Sequence, residues 1–276
     1  MSAGETPQIL LAEIDGVAVG EELGRGGYAS VWAGVMSGAP VPAANDATGD
    51  AAGDAPGNVA GDAAIAVAIK VAHRGTEVAR RRVAREAAAL ARLDGRHAPR
   101  LVATGEAGGR PYLILERLGA TLAVRGGGAA AVVHVARAVA AVHAAGVVHG
   151  DLKPDNLVVD GERAWLLDFG SARVDGAAAP VGAGVAYMAP ELWRGGGASA
   201  ASDVYALGAI ACELATGAPP FTGDARAVGH AHLMLRPALD GLAEPLATLV
   251  RRCLAKDPAH RPAAAELAAA LAEQLA

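Results

Sequence analysis

The run His149-Gly150-Asp151-Leu152-Lys153-Pro154-Asp155-Asn156, followed twelve residues later by Asp168-Phe169-Gly170, decides how the rest of the sequence is read. Asp151, Lys153 and Asn156 fall within six residues, in what reads as a loop between a helix and a strand. Together they offer a carboxylate to receive a hydroxyl proton, a cation for a transferring phosphoryl group and an amide oxygen for Mg2+. A polar run in a loop is usually a solvated turn. Here His149 and Leu152 tie the run to apolar neighbours, and Pro154 stiffens it. Asp168 follows the apolar strand Trp165-Leu166-Leu167 and supplies a second, stronger Mg2+ ligand, because Mg2+ favours one or two carboxylates completed by phosphate oxygens.

Upstream stands Val67-Ala68-Ile69-Lys70. A lysine ending an apolar strand is costly to bury unless it is paired. Two partners are available, the phosphates of a nucleotide and Glu86 on the following helix. Further back, Gly24-Arg25-Gly26-Gly27-Tyr28-Ala29-Ser30-Val31 forms a glycine-rich turn whose amide N–H groups can face a polyphosphate. Ala29 occupies the place of the third glycine in G-x-G-x-x-G. The turn leads into a strand and not a helix, which argues against a dinucleotide fold and for a β-hairpin covering ATP.

The intervening chain supports a mixed architecture. Val17 to Leu23, Tyr28 to Met36 and Ile65 to Val71 read as strands, and Thr76 to Arg92 reads as a helix. Leu101 to Thr104 and Pro111 to Glu116 complete five strands. Residues 38–64 carry Gly, Ala, Asp and Pro without apolar period and read as a flexible insertion. From Ala129 the pattern becomes helical, with Val132, Val135, Val139 and Val142 on one stripe. Further helices are expected at 202–216, 225–235, 244–254 and 263–275. Strands first and helices afterwards predict an α+β fold.

The five motifs, in this order and spacing, resemble the eukaryotic-like serine/threonine protein kinases of bacteria, with Ala189-Pro190-Glu191 closing the segment after Asp168. The resemblance runs from about Val17 to the C-terminus. It implies a bilobal kinase fold, with a five-stranded antiparallel sheet and one helix in residues 1–118 and a mainly helical lobe in 119–276. It implies Asp151 as catalytic base, Lys153 at the γ-phosphate, and Asn156 and Asp168 as Mg2+ ligands, with Mn2+ an admissible substitute. The ATP site would comprise Gly24, Gly26, Ala29, Val31, Ala68, Lys70 and Glu86, with Leu115 as gatekeeper and Glu116 to Leu118 as the hinge. Leu90, His149 and Phe169 resemble the apolar stack that aligns the lobes. Asp203 resembles the residue bracing the catalytic loop, and Arg261 the partner of Glu191.

Three features depart from the family. Gly150 replaces the arginine that receives an activation-loop phosphate. Between Gly170 and Tyr187 the sole hydroxyl is Ser171, so activation by loop phosphorylation is not expected. Gly184 replaces the threonine that helps align catalytic Asp and Lys. The segment after the hinge, GATLAVRGGG, is also short. Two other functions compete. His-Gly-Asp is also how aminoglycoside and choline kinases write this loop, and a pseudokinase scaffold would bind ATP without turnover. Lys153, the complete Asp-Phe-Gly, and Glu191 with Arg261 favour a protein kinase, and Lys153-Pro154 favours Ser/Thr acceptors.

The 276 residues suit one two-lobed domain, and the net charge of −5 gives no general attraction to nucleic acid. Two cysteines, Cys212 and Cys253, exclude a disulfide framework and point to core positions in a reducing cytoplasm. No apolar run reaches membrane-span length, and residues 1–15 lack a signal pattern. Expected partners are Ser/Thr-bearing proteins; a homodimer is compatible with the sequence. His230 and His232, two apart, face different sides of a helix and read as surface or packing residues. Arg80, Arg81, Arg82 and Arg85 read as a solvated basic face, with a docking surface for an acidic partner as the lesser alternative, and the tryptophans as packing residues.

Overall fold

The computed structural model describes residues 14–37, 64–176, 184–244 and 246–275. The expected flexible insertion therefore lies almost entirely outside the described residues. The first part is a five-stranded antiparallel sheet of β1 (Val17–Arg25), β2 (Ala29–Met36), β3 (Ile65–Ala72), β4 (Leu101–Ala107) and β5 (Arg110–Glu116), ordered β1-β2-β3-β5-β4. The period-2 pattern of β3 sorts its side chains. Val67, Ile69 and Val71 join Trp32 and Ile114 in one apolar cluster, whereas Ala68 and Lys70 lie on the opposite face. Register places Lys70 across from Val31 on one side and Leu113 on the other. β4 runs past the expected Thr104 to Ala107, because its pairing with β5 continues to Arg110.

Helix α1 (Glu77–Leu93) crosses behind the sheet. Thr76 caps it by accepting from the Ala79 N–H, with Glu77 favourably placed in the first turn. Leu90 and Leu93 are buried in the larger core, each burial stabilising by roughly 1.5–3 kcal/mol. After β5 comes only a single turn, α2 (Leu122–Arg125), in agreement with the short segment there.

The second part is helical, with α3 (Ala129–Ala144), α4 (Pro190–Trp193), α5 (Ala200–Thr216), α6 (Ala225–Met234), α7 (Leu246–Cys253) and α8 (Ala264–Leu275). The valine stripe of α3 is buried as expected. The reciprocal Ser199 and Ser202 capping bonds start α5, and Gly217 at φ +83° ends it. Small residues let these helices approach closely. A Cβ added to Gly208 of α5 would stand 2.6 Å from the Cβ of Cys253 on α7. Cys212 and Cys253 are both free and buried. Two short ladders, β6 (Val147–Val148) with β9 (Arg173–Val174) and β7 (Leu157–Asp160) with β8 (Arg163–Leu166), frame the loops that carry the polar motifs.

Candidate active site

Lys70 enters the cleft between sheet and helices. Its Nζ donates at 2.7 Å to each carboxylate oxygen of Glu86 and at 2.9 Å to Oδ1 of Asp168. One cation thus joins β3, α1 and the loop after β8. Burial opposes the charge on Lys70, but the two carboxylates outweigh it and hold its pKa above the usual lysine range. Burial likewise acts to raise Asp168. Lys70, then the charge of Arg82, reverse this and leave Asp168 ionised well below the ordinary carboxylate range.

Asp168 takes left-handed backbone at φ 61° and its carboxylate accepts from the Gly170 N–H. This tight turn sends Phe169 fully inside, edge-on to His149 with centroids 4.8 Å apart. His149 Nε2 lies 2.8 Å from the Leu167 carbonyl, which can only accept, so the proton sits on Nε2. Nδ1 is then free to accept from the Asp151 N–H. Leu90 belongs to the same buried core.

The catalytic-loop residues converge from this anchorage. Lys153 Nζ is 3.3 Å from Asp151 Oδ2. Asn156 uses its amide N–H to hold the Asp151 carbonyl at 2.9 Å, which leaves its own amide oxygen to point elsewhere. Below the loop, buried Asp203 accepts from the backbone N–H groups of His149 and Gly150 at 2.8 and 2.9 Å. His143 Nε2 adds a third contact at 2.9 Å, which no local motif had indicated. Gly150 has φ +78°, and a Cβ there would meet the Ser171 carbonyl oxygen at 2.8 Å. A side chain here would be strained by this backbone and would press on the Ser171 carbonyl. Gly184 lies over the pair, its Cβ position 3.3 Å from Asp151 Oδ1 and 3.5 Å from Lys153 Cδ.

The remaining expected site residues lie on the strands and turn around Lys70 and just after β5. Leu115 is buried opposite Ala68. Glu116 turns its carboxylate back to the Arg100 N–H, and Leu118 is half-buried. Val31 and Ala29 are half-buried in β2, whereas Gly24 and Gly26 are exposed. A Cβ on Gly24 would touch nothing within 4 Å, and one on Gly26 only the Ala29 carbonyl at 3.6 Å. Internal packing does not require these glycines, so the open space fits a ligand approaching the backbone. The donor set of one carboxylate and one amide oxygen fits a hard cation such as Mg2+. Among the described residues no group of three His, Cys, Asp or Glu forms a self-sufficient metal site. A cation at Asn156 and Asp168 would rely on phosphate oxygens to complete its shell.

One expectation is corrected. Arg81 is an exposed partner of Glu77, and Arg80 pairs with Glu106 at the surface. Arg82 and Arg85, however, turn inward to Ser171 and Gly170, so the basic run is not uniformly solvated. The two histidines separate as expected. His230 is exposed, and His232 is buried with Nδ1 2.9 Å from the Tyr205 hydroxyl.

A five-stranded sheet over a helical lobe, with a lysine bridging two carboxylates beside an Asp-Lys-Asn loop, defines an ATP-type phosphotransferase site. Residues 58–271 match the protein kinase domain, and the chain belongs to that family. The family works with ATP and a divalent metal ion on protein substrates. The chain is similar to the serine/threonine-protein kinase PknL of Mycobacterium tuberculosis, 38% identical over 64% of this chain and 50% of PknL. It is also similar to PkaA of Streptomyces coelicolor, 44% identical over 50% of this chain and 27% of PkaA. PknB of Mycobacterium tuberculosis, in strain H37Ra, is 38% identical over 47% of this chain and 23% of PknB. The chain thus spans half or less of the length of these relatives. No helix among its described residues is long and apolar enough to cross a membrane.

Proposed function

We propose that this chain transfers the γ-phosphoryl group of ATP to Ser or Thr hydroxyls of proteins, in a cleft between a lobe of residues 1–118 and one of 119–276. The observation that carries the reading is the three-way contact of Lys70 with Glu86 and Asp168, beside the Asp151–Lys153 pair. It joins charged side chains from four separate segments, which supports a reaction whose catalysis rests on positioning and electrostatics. Mg2+ held by Asn156 and Asp168 would neutralise phosphate charge, and Mn2+ would suit the same oxygens. Lys70 orients the α- and β-phosphates, and Glu86 fixes Lys70. Asp151 accepts the hydroxyl proton, and Lys153 stands where it can steady the moving phosphoryl group.

Lys153-Pro154 and the names of the relatives support Ser/Thr acceptors over Tyr. The lack of hydroxyls from residue 172 to 186 supports a kinase not switched by loop phosphorylation. Free, buried Cys212 and Cys253 accord with a cytoplasmic setting.

The test is transfer from ATP·Mg2+ by the purified chain beside an Asp151→Asn control. Acceptors are the chain itself, a generic basic protein, and a panel of amino- and hydroxyl-bearing metabolites. Phosphate on Ser or Thr, absent in the control, is the expected result. Phosphate on metabolites alone, or ATP binding without any transfer, would overturn the proposal.

A further inference from the structure

The segment following Asp168 cannot gain a phosphate between residues 172 and 186, and Gly150 offers no side chain to bind one. Whatever holds the turn at 168–171 against α1 must therefore be built into the fold. Two cations of α1 occupy that role. Arg85 Nη1 donates to the Gly170 carbonyl at 3.2 Å, and Arg82 Nη2 lies 3.4 Å from the Ser171 hydroxyl. Arg82 is laid closely on the Gly170 backbone, since a Cβ there would fall 2.5 Å from its Nε and 3.1 Å from its Cγ. Its guanidinium also stands over the ring of Tyr28, 4.3 Å from the centroid, in the glycine-rich turn. Ser171 itself is fully buried, so its hydroxyl is a contact and not a modification site.

Spacing makes these contacts one device. Arg82 precedes Glu86 by four residues and shares its helix face, and Arg85 is its neighbour. Any movement of α1 that draws Glu86 from Lys70 must also strip both arginines from Gly170 and Ser171. The two guanidiniums repel each other. Burial, and then the charge of Arg82, press the pKa of Arg85 down. They nonetheless remain together, because Asp168, the Gly170 carbonyl and the Tyr28 ring all favour positive charge at this place.

We infer that Arg82 and Arg85 are positioning residues that permanently fasten α1 and the glycine-rich turn to the Asp168-Phe169-Gly170 turn, doing without a covalent switch what a reversible phosphate does in a regulated kinase. The inference rests on the kinase reading above. Neither arginine need touch substrate; both act through Glu86, Lys70 and Asp168.

The test compares the wild-type chain with Arg82→Gln, Arg85→Gln, the double variant and Arg82→Lys. Three measurements are made: turnover, melting temperature and amide hydrogen exchange. Phosphatase treatment of wild type should leave its rate within twofold. The double variant should lose tenfold or more in kcat and exchange faster at 168–172 and around Glu86, with its melting temperature nearly unchanged. Arg82→Lys, which keeps charge but not the flat guanidinium, should fall between. A general loss of melting temperature with uniformly faster exchange would reduce the arginines to ordinary packing and overturn the inference. So would a double variant within twofold of wild type, or wild type inactivated by phosphatase. Should the double variant not fold, Tyr28→Ala removes one wall of the Arg82 slot without altering α1. It should lower kcat about threefold and loosen 168–172, and an unchanged pattern refutes the clasp. If wild type transfers no phosphate, the kinase reading fails, and exchange at 168–172 still decides the clasp independently.

Discussion

Replacing Glu191 with Gln tests whether the lower lobe depends on one buried charge. Arg261 is 0% exposed at its side chain and Glu191 19%. Nη1 and Nη2 meet the two carboxylate oxygens at 2.7 and 2.8 Å, the fork-to-fork geometry that favours arginine. Gln keeps one acceptor but turns an NH2 group toward Nη2, donor against donor, and removes the only anion bonded to the guanidinium in the described structure. Removing one member of a buried pair costs about 3–5 kcal/mol. Partial exposure of Glu191 argues for the lower end, about 3 kcal/mol, or roughly 6–12 °C in melting temperature for a domain of this size. Arg261→Met should cost more. The carbonyls of Ala201, Ala255 and Lys256 would lose their donor, at up to about 1–3 kcal/mol for each left unsatisfied. Urea unfolding followed by tryptophan fluorescence gives both values, since Trp193 lies in the same short helix as Glu191. A double-mutant cycle then isolates the coupling between them. A Glu191→Gln cost below about 1 kcal/mol, or one larger than that of Arg261→Met, would refute the reasoning.

Asp168→Asn should lower turnover at least ~100-fold, about 2.7 kcal/mol of barrier, in the ATP·Mg2+ assay; a smaller loss would mean that another group holds the metal. Gly150→Ala should destabilise by about 2–4 kcal/mol in urea unfolding, combining left-handed strain with the push against Ser171, and a neutral result would contradict the backbone geometry. Buried His232 gives a pH test. Burial, then the charge of Lys256, lowers its pKa to about 4, so the unfolded chain, near the ordinary value of about 6.5, takes up the proton first. That contribution to stability is present above about 6.5 and is lost as pH falls toward 4, at up to about 1.4 kcal/mol per unit. His232→Gln should flatten this part of the stability profile, and an unchanged slope would show that other groups set it.

The convergence of Lys70, Glu86 and Asp168, and of Asp151, Lys153 and Asn156, was legible because short local motifs carry these residues. Charge and burial left Lys70 two partners, nucleotide phosphates or Glu86 one helix later; the resemblance implied Glu86, and Lys70 does meet it. Asp203 was legible through resemblance, but its third partner, His143, was not. His143 sits in an apolar helix and meets Asp203 only after α3 and α5 pack. Arg82 and Arg85 turn inward for the same reason. Sequence gives the helix face a residue occupies, yet whether that face meets water or the Gly170 backbone depends on a loop some 85 residues away. Gly150 read as a missing cation, and only the backbone angle showed that a side chain is unwelcome there. The end of β4 was set by hydrogen bonding to β5, which side-chain alternation does not encode.

Gly208, pressed against Cys253, has a consequence for how this protein can change over time. At the crossing of α5 and α7 there is no side-chain volume to lose at Gly208, whereas the buried Leu, Ile and Val elsewhere in the lobe would open voids on truncation. Growth is another matter, because one added methyl group at Gly208 must force α5 and α7 apart, at about 1–3 kcal/mol or more. Saturation mutagenesis should therefore find position 208 closed to every larger residue, with relief only where the facing Cys253 is made smaller. Lineages carrying this lobe would drift through exchanges at constant volume, and could enlarge one helix face only after its neighbour had shrunk.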